Sequence, residues 1–377
     1  MIKICMIAHL NDLSGANRSL LKLARELSKT QDVTVVVPRK GLLYNELIKN
    51  NIKATVILSG TWVYKKDEKL IKKIIKRTLN FFAEIKYRSF FKKGGFDLIH
   101  YNSYTYGTGA LSASKLGIPY VWHIRELPEE NFNLTFFNRE KSNMIVSGSE
   151  CIITISNFMK KAVSDRFPPE KISVIYNGVT TKDNISSGLK KEDLSDIVLI
   201  GAIAEDKGTL DAIRAVKYLH EQGIDKKLYI VGAVTDNAYY EKVKNEITDD
   251  IKQNIIFVGY RSDLKDYRKK SLLALMCSKA EAFGLVTIEA MNAGQIIIGA
   301  DTGATPEIIN DGYNGFLYRQ GDHTDLAQKI MAVFNSADLE QISINAQKTV
   351  RDSFSTENNA ALVSNILDSV VRARRKK

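Results

Sequence analysis

Short apolar runs rich in β-branched residues alternate with helical patterns along almost the whole chain. That alternation restricts the fold to layered α/β architectures. Residues 2–9 and 33–37 read as strands. Between them, 19–27 reads as a helix with Leu20, Leu23, Ala24 and Leu27 on one face. Residues 96–100, 118–122 and 172–176 read as further strands and 109–116 as a short helix, while 144–147 and 151–155 read as buried strand or turn material. The polar stretch 181–195 (TKDNISSGLKKEDLS) has little apolar periodicity and reads as a linker. A second series follows, with strands over 197–201, 227–231, 255–258, 272–277 and 296–299 and helices over 207–219 and 325–334. The tail over 339–371 is mostly helical. A chain of 377 residues suits two domains, each with its own core. The expectation is an α/β protein of two Rossmann-like halves, each a parallel sheet covered on both faces, with a ligand site in the cleft between them. The boundaries read as 1–180 and 181–350, with 351–377 a terminal helix packing back on the first domain.

The stretch 279–309 (KAEAFGLVTIEAMNAGQIIIGADTGATPEII) carries the densest chemistry. Glu281 and Glu289 stand eight positions apart with a Phe283-Gly284-Leu285 turn between them. That turn can aim backbone amides of a helix start at phosphate oxygens. A carboxylate one turn into the helix can accept from a ribose diol, and one in the preceding loop from sugar hydroxyls. Helix capping on the surface is the plain alternative for Glu281. Lys207-Gly208 follows the 197–201 strand at a helix start, where a lysine serves either as a point charge on a diphosphate or as a solvated side chain. Thr302, Gly303 and Pro306 supply a turn ahead of Glu307, itself either a pocket residue or an exposed first-turn glutamate.

In the first half, Ser14-Gly15-Ala16 joins the first strand to the first helix and lets backbone approach a ligand. It lacks the three-glycine dinucleotide pattern. His123 follows the 118–122 strand, a position expected to face the cleft and not the core, with Glu126 as its orienting partner. His9 and His100 also end strands.

Together these residues resemble the family 4 glycosyltransferases, retaining enzymes of the GT-B fold. EAFGLVTIEAMNAG meets the family's Glu-x7-Glu spacing with Glu281 and Glu289. GATPEII with DGYNGFL, and ISNFMKKAV with VIYNGV, are similar to its other conserved stretches. The likeness covers nearly the whole chain and is strongest over 207–317. It implies an acceptor-binding first domain and a nucleotide-sugar-binding second domain. It also implies roles: Glu289 on the ribose, Glu281 on the transferred sugar, Lys207 and the amides of Phe283, Gly284 and Leu285 on the diphosphate. His123 would act at the sugar or its leaving phosphate, and Gly15 would permit close approach. The donor would be a UDP- or GDP-sugar, with no cofactor and no metal; the chain also lacks an Asp-x-Asp motif. Three positions depart from the family. Ala202 stands where an arginine is common, Ser14 where a glycine is, and Thr180 where an aspartate often follows Asn-Gly-Val. A nucleotide-sugar epimerase of the same fold and a noncatalytic nucleotide-binding member remain as alternatives.

The net charge is +11, and +8 of it falls within 65–94, which holds eleven Lys or Arg against three acidic residues. Ile71, Ile74, Ile75, Phe82 and Ile85 recur there at helical spacing beside Lys72, Lys73, Lys76 and Arg77. This is the pattern of a helix lying on an anionic membrane; a helix packed on the sheet with a solvated basic face is the alternative. A lipid-linked saccharide acceptor in bacterial surface polysaccharide assembly would suit it. No nucleic-acid module is recognisable. Three cysteines without a Cys-x-x-Cys pair suit reduced, buried thiols in the cytoplasm, with attachment to the inner face of the plasma membrane as a further expectation.

Overall fold

A computed structural model describes residues 1–181, 196–336 and 338–376. Most of the expected linker, 182–195, lies outside the described residues. The chain divides into two units, Met1–Gly178 with Thr356–Lys377, and Val179–Ser355.

The first unit holds nine strands: β1 (Lys3–Ile7), β2 (Asp32–Val37), β3 (Lys53–Val56), β4 (Val63–Lys65), β5 (Leu98–Tyr101), β6 (Tyr120–Ile124), β7 (Leu134–Phe136), β8 (Cys151–Thr154) and β9 (Ile172–Val174). Seven form a sheet in the order β3-β2-β1-β5-β6-β8-β9, every neighbouring pair parallel. β4 and β7 make a separate antiparallel pair. The second unit holds β10 (Asp196–Ile200), β11 (Leu228–Val231), β12 (Ile255–Phe257), β13 (Ser271–Met276), β14 (Ile296–Ala300) and β15 (Phe316–Tyr318). They form one parallel sheet, β12-β11-β10-β13-β14-β15. Sequences such as SLLALM and IIIGA are buried along their whole length because helices cover both faces of a parallel sheet. This is the doubly wound α/β fold expected from the alternation. Strand order reverses beside β1 in one unit and beside β10 in the other, and ligands of such sheets bind outside the carboxyl ends at that point.

Helix Gly15–Leu27 buries Leu20, Leu23, Ala24 and Leu27. They share one core with Ala360, Val363, Leu367 and Val371 of the terminal helix Thr356–Arg375. The second core gathers β10, β11, β13 and β14 with Ala212, Ile213, Val216 and Leu219 of helix Thr209–Glu221.

Some elements differ from expectation. Residues 144–147, read as strand or turn, end the helix Arg139–Ser147. Its N-cap Asn138 accepts from the Lys141 amide at 2.9 Å, and Ser142, Ile145 and Val146 are buried at helical spacing. The helix Leu42–Lys49 and the strand β3, both missed by periodicity, complete one edge of the first sheet. Cys5 and Cys277 are buried, but Cys151 is only partly so.

The basic stretch forms the 25-residue helix Leu70–Gly94, closed by Gly95 at φ 58°. It buries only Ala83, Tyr87 and Phe91. Ile71, Ile74, Ile75, Phe81, Phe82 and Ile85 are each half or more exposed. Among the described residues no helix is long and apolar enough to cross a membrane.

Candidate active site

In the second unit, three loops leave the carboxyl ends of β10, β13 and β14, and hydrogen bonds join them. The Lys279 amide donates to the Asp206 carbonyl at 2.8 Å, and the Ala304 amide to the Glu281 carbonyl at 2.8 Å. Thr302 Oγ1 donates to the Lys279 carbonyl at 3.0 Å. Two glycines allow this closeness. Gly208 has φ +66°, and a Cβ there would lie 2.0 Å from the Cys277 carbonyl oxygen. Gly303 has φ +61°, and a Cβ there would lie 2.6 Å from the Glu281 amide nitrogen.

These loops bring Lys207 and Glu281 together. Lys207 Nζ lies 3.3 Å from Glu281 Oε2 and 3.5 Å from Asp206 Oδ2. Burial pulls the Lys207 pKa down, but the two carboxylates outweigh it and the net shift is upward. Lys207 ends a 3-10 turn, Glu205–Lys207, and Gly208 separates it from helix Thr209–Glu221.

Gly284 (φ +97°) precedes helix Leu285–Asn292. The first amides of a helix have no intrahelical acceptor, and no described residue supplies one to Gly284 or Leu285. The Phe283 ring is buried edge-on against Phe354, with centroids 6.0 Å apart, which holds the turn in place.

Glu289 is five residues into that helix and pairs with Arg268 at 2.8 Å. Arg268 is only 7% exposed and also donates to Gln295 Oε1 at 3.4 Å. Sequence reading missed Arg268, which sits in the run KDYRKK among other basic residues and gives no local sign of burial.

The first unit gathers a second group at the ends of β1, β5 and β6. Gly15 is the first residue of helix Gly15–Leu27 and has no positive φ, so no turn requires glycine there. Asn102 donates to the neighbouring Ala16 carbonyl at 3.0 Å and accepts from Arg125 Nε at 2.7 Å. Arg125 also donates to Asn177, and its terminal nitrogen lies 3.3 Å from His123 Nδ1. His100 Nε2 approaches the same nitrogen at 3.3 Å.

His123 is fully buried, contrary to the accessible ring expected at a strand end. It is the fourth residue of β6, and β5 and β8 flank it on both sides. Glu126 does not orient it either. That carboxylate accepts from Ser103 and from the Tyr104 amide at 3.0 Å, and Arg125 takes the place expected for it. Arginine can only donate, so His123 Nδ1 accepts and the ring proton sits on Nε2. Nε2 is buried and has no partner among the described residues. An orphaned buried donor costs about 1–3 kcal/mol, so it marks a point where a ligand oxygen would complete the network. Arg125 and Asn102 were visible in sequence only as neighbours of the histidine and of a strand end.

Burial, reinforced by Arg125, holds the His100 pKa down at about 3. Burial, Arg125 and His100 hold that of His123 well below its usual value, and burial lowers that of Arg125 to about 9. Both histidines are therefore neutral in the folded protein but charge in the unfolded chain below its ordinary pKa. Stability falls as pH drops through about 6.5, each histidine contributing up to about 1.4 kcal/mol per pH unit. Urea midpoints at pH 7 and pH 5 are expected to differ by the equivalent of about 2–4 kcal/mol. Equal midpoints would show the pair charging freely in the native state.

The two groups belong to different units, and so do the family matches. A model described as Glycosyltransferase Family 4 matches residues 13–183, and one described as Glycosyl transferases group 1 matches 181–349. Two glycosyltransferase family models thus match the two halves of the chain in turn, and its two parallel-sheet units have the GT-B fold. It is 28% identical over 251 residues to an uncharacterized glycosyltransferase of Methanocaldococcus jannaschii, covering 66% of this chain and 68% of that one. It is 26% identical over 250 residues to N-acetyl-alpha-D-glucosaminyl L-malate synthase of Bacillus anthracis, covering 64% and 63%. It is 27% identical over 224 residues to the lipopolysaccharide 1,2-N-acetylglucosaminetransferase of Salmonella typhimurium, covering 55% and 59%. The chain thus spans about three fifths to two thirds of these relatives' lengths. Its fold is similar to that of HepE from Anabaena, solved in complex with UDP and glucose, with a TM-score of 0.77 and 19% identity over 98% of this chain and 100% of that one. Among the described residues, no group of three or more His, Cys, Asp or Glu side chains could hold a metal ion.

Proposed function

We propose that this chain transfers a hexose-type sugar, with retention, from a nucleoside diphosphate sugar to a hydroxyl of a saccharide acceptor in surface polysaccharide assembly. The observation that carries this reading is the cluster in the second unit. Lys207, Glu281 and the unpartnered amides of Gly284 and Leu285 lie on interlocked loops beyond the strand ends. Cation and amides would stabilise the negative charge that grows on the diphosphate as the sugar leaves. Glu281 would accept from sugar hydroxyls. Glu289 would accept from the ribose with the oxygen that Arg268 leaves free. His123 Nε2–H would donate to the sugar or its phosphate. The leaving phosphate would take the acceptor proton on the same face, which requires no protein nucleophile. Arg268 does not replace the arginine absent at Ala202, because it is buried against Glu289.

Thermal-shift titration with UDP, GDP and their sugars is the test. Stabilisation by one nucleotide class is expected, growing with ligand concentration above Kd. No response to any of them would favour the noncatalytic alternative. Release of free nucleoside diphosphate only when acceptor is added separates transfer from epimerisation.

The same reading includes an anionic membrane surface as the partner of helix Leu70–Gly94. Its charge is complementary to such a surface, and its isoleucines, with Phe81 and Phe82, are exposed beside the cations. A peripheral enzyme on the inner leaflet with a lipid-linked acceptor follows. Arg77→Gln with Phe81→Ser and Phe82→Ser is expected to weaken co-sedimentation with vesicles rich in acidic lipid by at least about tenfold. Unchanged sedimentation removes the membrane from the proposal. A mass that rises with concentration in the wild type alone would point instead to a second copy of the chain.

A further inference from the structure

A cavity of about 510 Å³ opens at the carboxyl ends of β1, β2 and β3, roofed by the first turns of helix Leu70–Gly94. Its size suits a small phosphorylated sugar. Nothing in the sugar-transfer reading above uses its residues. His9 follows β1, Arg39 follows β2, Ser59 follows β3, and Glu68, Lys72 and Lys76 come from the roof and the turn before it.

Two independent observations point to an anionic ligand. The first is unbalanced charge: Arg39, Lys72 and Lys76 line the cavity against one carboxylate, Glu68. Glu68 is taken by Lys76 at 2.8 Å, and neither Arg39 nor Lys72 has an ion-pair partner among the described residues. The lining thus carries three cations against one carboxylate, an excess that an anion of charge about −2 would balance. The second is His9, 9% exposed, whose buried Nδ1 has no hydrogen-bond partner. Burial lowers its pKa, so the ring is neutral and offers polar atoms and not a further charge.

The roof helix gives the source of the ligand its geometry. Lys72, Ile75 and Lys76 line the cavity, while Ile71 and Ile74, on the same first turns, are exposed. One helix can thus touch lipid and a headgroup phosphate together.

We propose that this cavity is the binding site for the phosphate of the acceptor, a phosphorylated or diphosphate-linked saccharide, held by Arg39 and Lys72 with His9 at the floor. The inference rests on the transferase reading in taking the bound anion to be the acceptor, but the anion site itself does not.

The test uses the full chain with inorganic pyrophosphate as probe, followed by 31P line broadening. Saturating UDP is present to occupy the donor site of the second unit. Pyrophosphate is expected to broaden with the wild type, and Arg39→Gln with Lys72→Gln to weaken its binding at least tenfold, about one charge-assisted contact's worth. Both side chains are exposed, and an unchanged thermal melt of the full chain reports that the variant is folded. No broadening with UDP-bound wild type, or equal broadening with the variant, overturns the site. If UDP itself fails to bind, the transferase reading fails alone, and the comparison of wild type with variant still decides the anion site. Glucose 1-phosphate and a prenyl phosphate in nanodiscs then separate the sources. Equal affinity assigns a soluble acceptor, and a preference for the nanodiscs assigns a lipid-linked one.

Discussion

Lys207→Met is expected to lower kcat/KM for the donor by about 10²- to 10³-fold, the usual cost of removing one preorganised charge from a site where negative charge develops. Lys207 is placed to matter this much by two features. It stands at the carboxyl end of β10, on a loop joined to the β13 loop through the Asp206 carbonyl, so its ammonium is held in position before substrate arrives. And Ala202 supplies no second cation, so in the proposed transfer the lysine would hold the diphosphate without help from that loop. Methionine keeps much of the stem and removes the charge. Steady-state kinetics with varied donor, alongside the Kd for UDP, divide the loss. A fall in kcat with Kd preserved puts the charge to work in the transition state; a raised Kd alone puts it in ground-state binding. An unchanged kcat/KM would take Lys207 out of the site.

Glu289→Ala is expected to cost about 3 kcal/mol of stability before any effect on donor binding is read. The carboxylate neutralises the Arg268 guanidinium, which is too deeply buried to be solvated once its partner is gone. For a unit of this size that loss lowers Tm by about 6–12 °C. Donor affinity must therefore be measured well below the new transition, or unfolding will pass for lost binding. Arg268→Met with Glu289→Leu removes both charges and should recover most of the stability while removing the acceptor proposed for the ribose. If Glu289→Ala melts with the wild type, the pair contributes nothing to the fold.

The parts of this molecule legible in sequence were those with a local signature. Buried parallel strands announce themselves as runs such as IIIGA, and the Glu281–Glu289 spacing with its Gly284 turn specifies a loop leading into a helix. The nearness of Lys207 to Glu281 was not legible, because 74 positions separate them and only the sheet order brings β10 beside β13. Arg268 escaped for the same reason. Burial of a basic residue depends on a partner supplied by another element, and nothing in KDYRKK sets one arginine apart from its neighbours. The sequence singles out His123, but not its surroundings. A position near the end of a strand was taken for an accessible one, whereas β5 and β8 enclose it and Arg125, not Glu126, meets its ring. Helix Leu42–Lys49 and β3 are short and carry too few residues for a period to stand out.

The terminal helix belongs to the first unit, and this bears on how the protein can be made. The chain leaves for the second unit after Gly178 and returns at Thr356. Each junction is secured within its own unit. The Val179 amide donates to the Phe354 carbonyl at 2.8 Å, and Asn359 donates to the Tyr176 carbonyl at 2.6 Å. During synthesis the amino-terminal unit emerges first, yet Leu20, Leu23 and Leu27 meet their final partners only after some 180 further residues have been added. Until then that face of the nascent sheet layer stays uncovered. The ribosome thus releases an incomplete first unit that must wait for the second to pass, and a fragment cut at residue 178 would carry the same open face permanently.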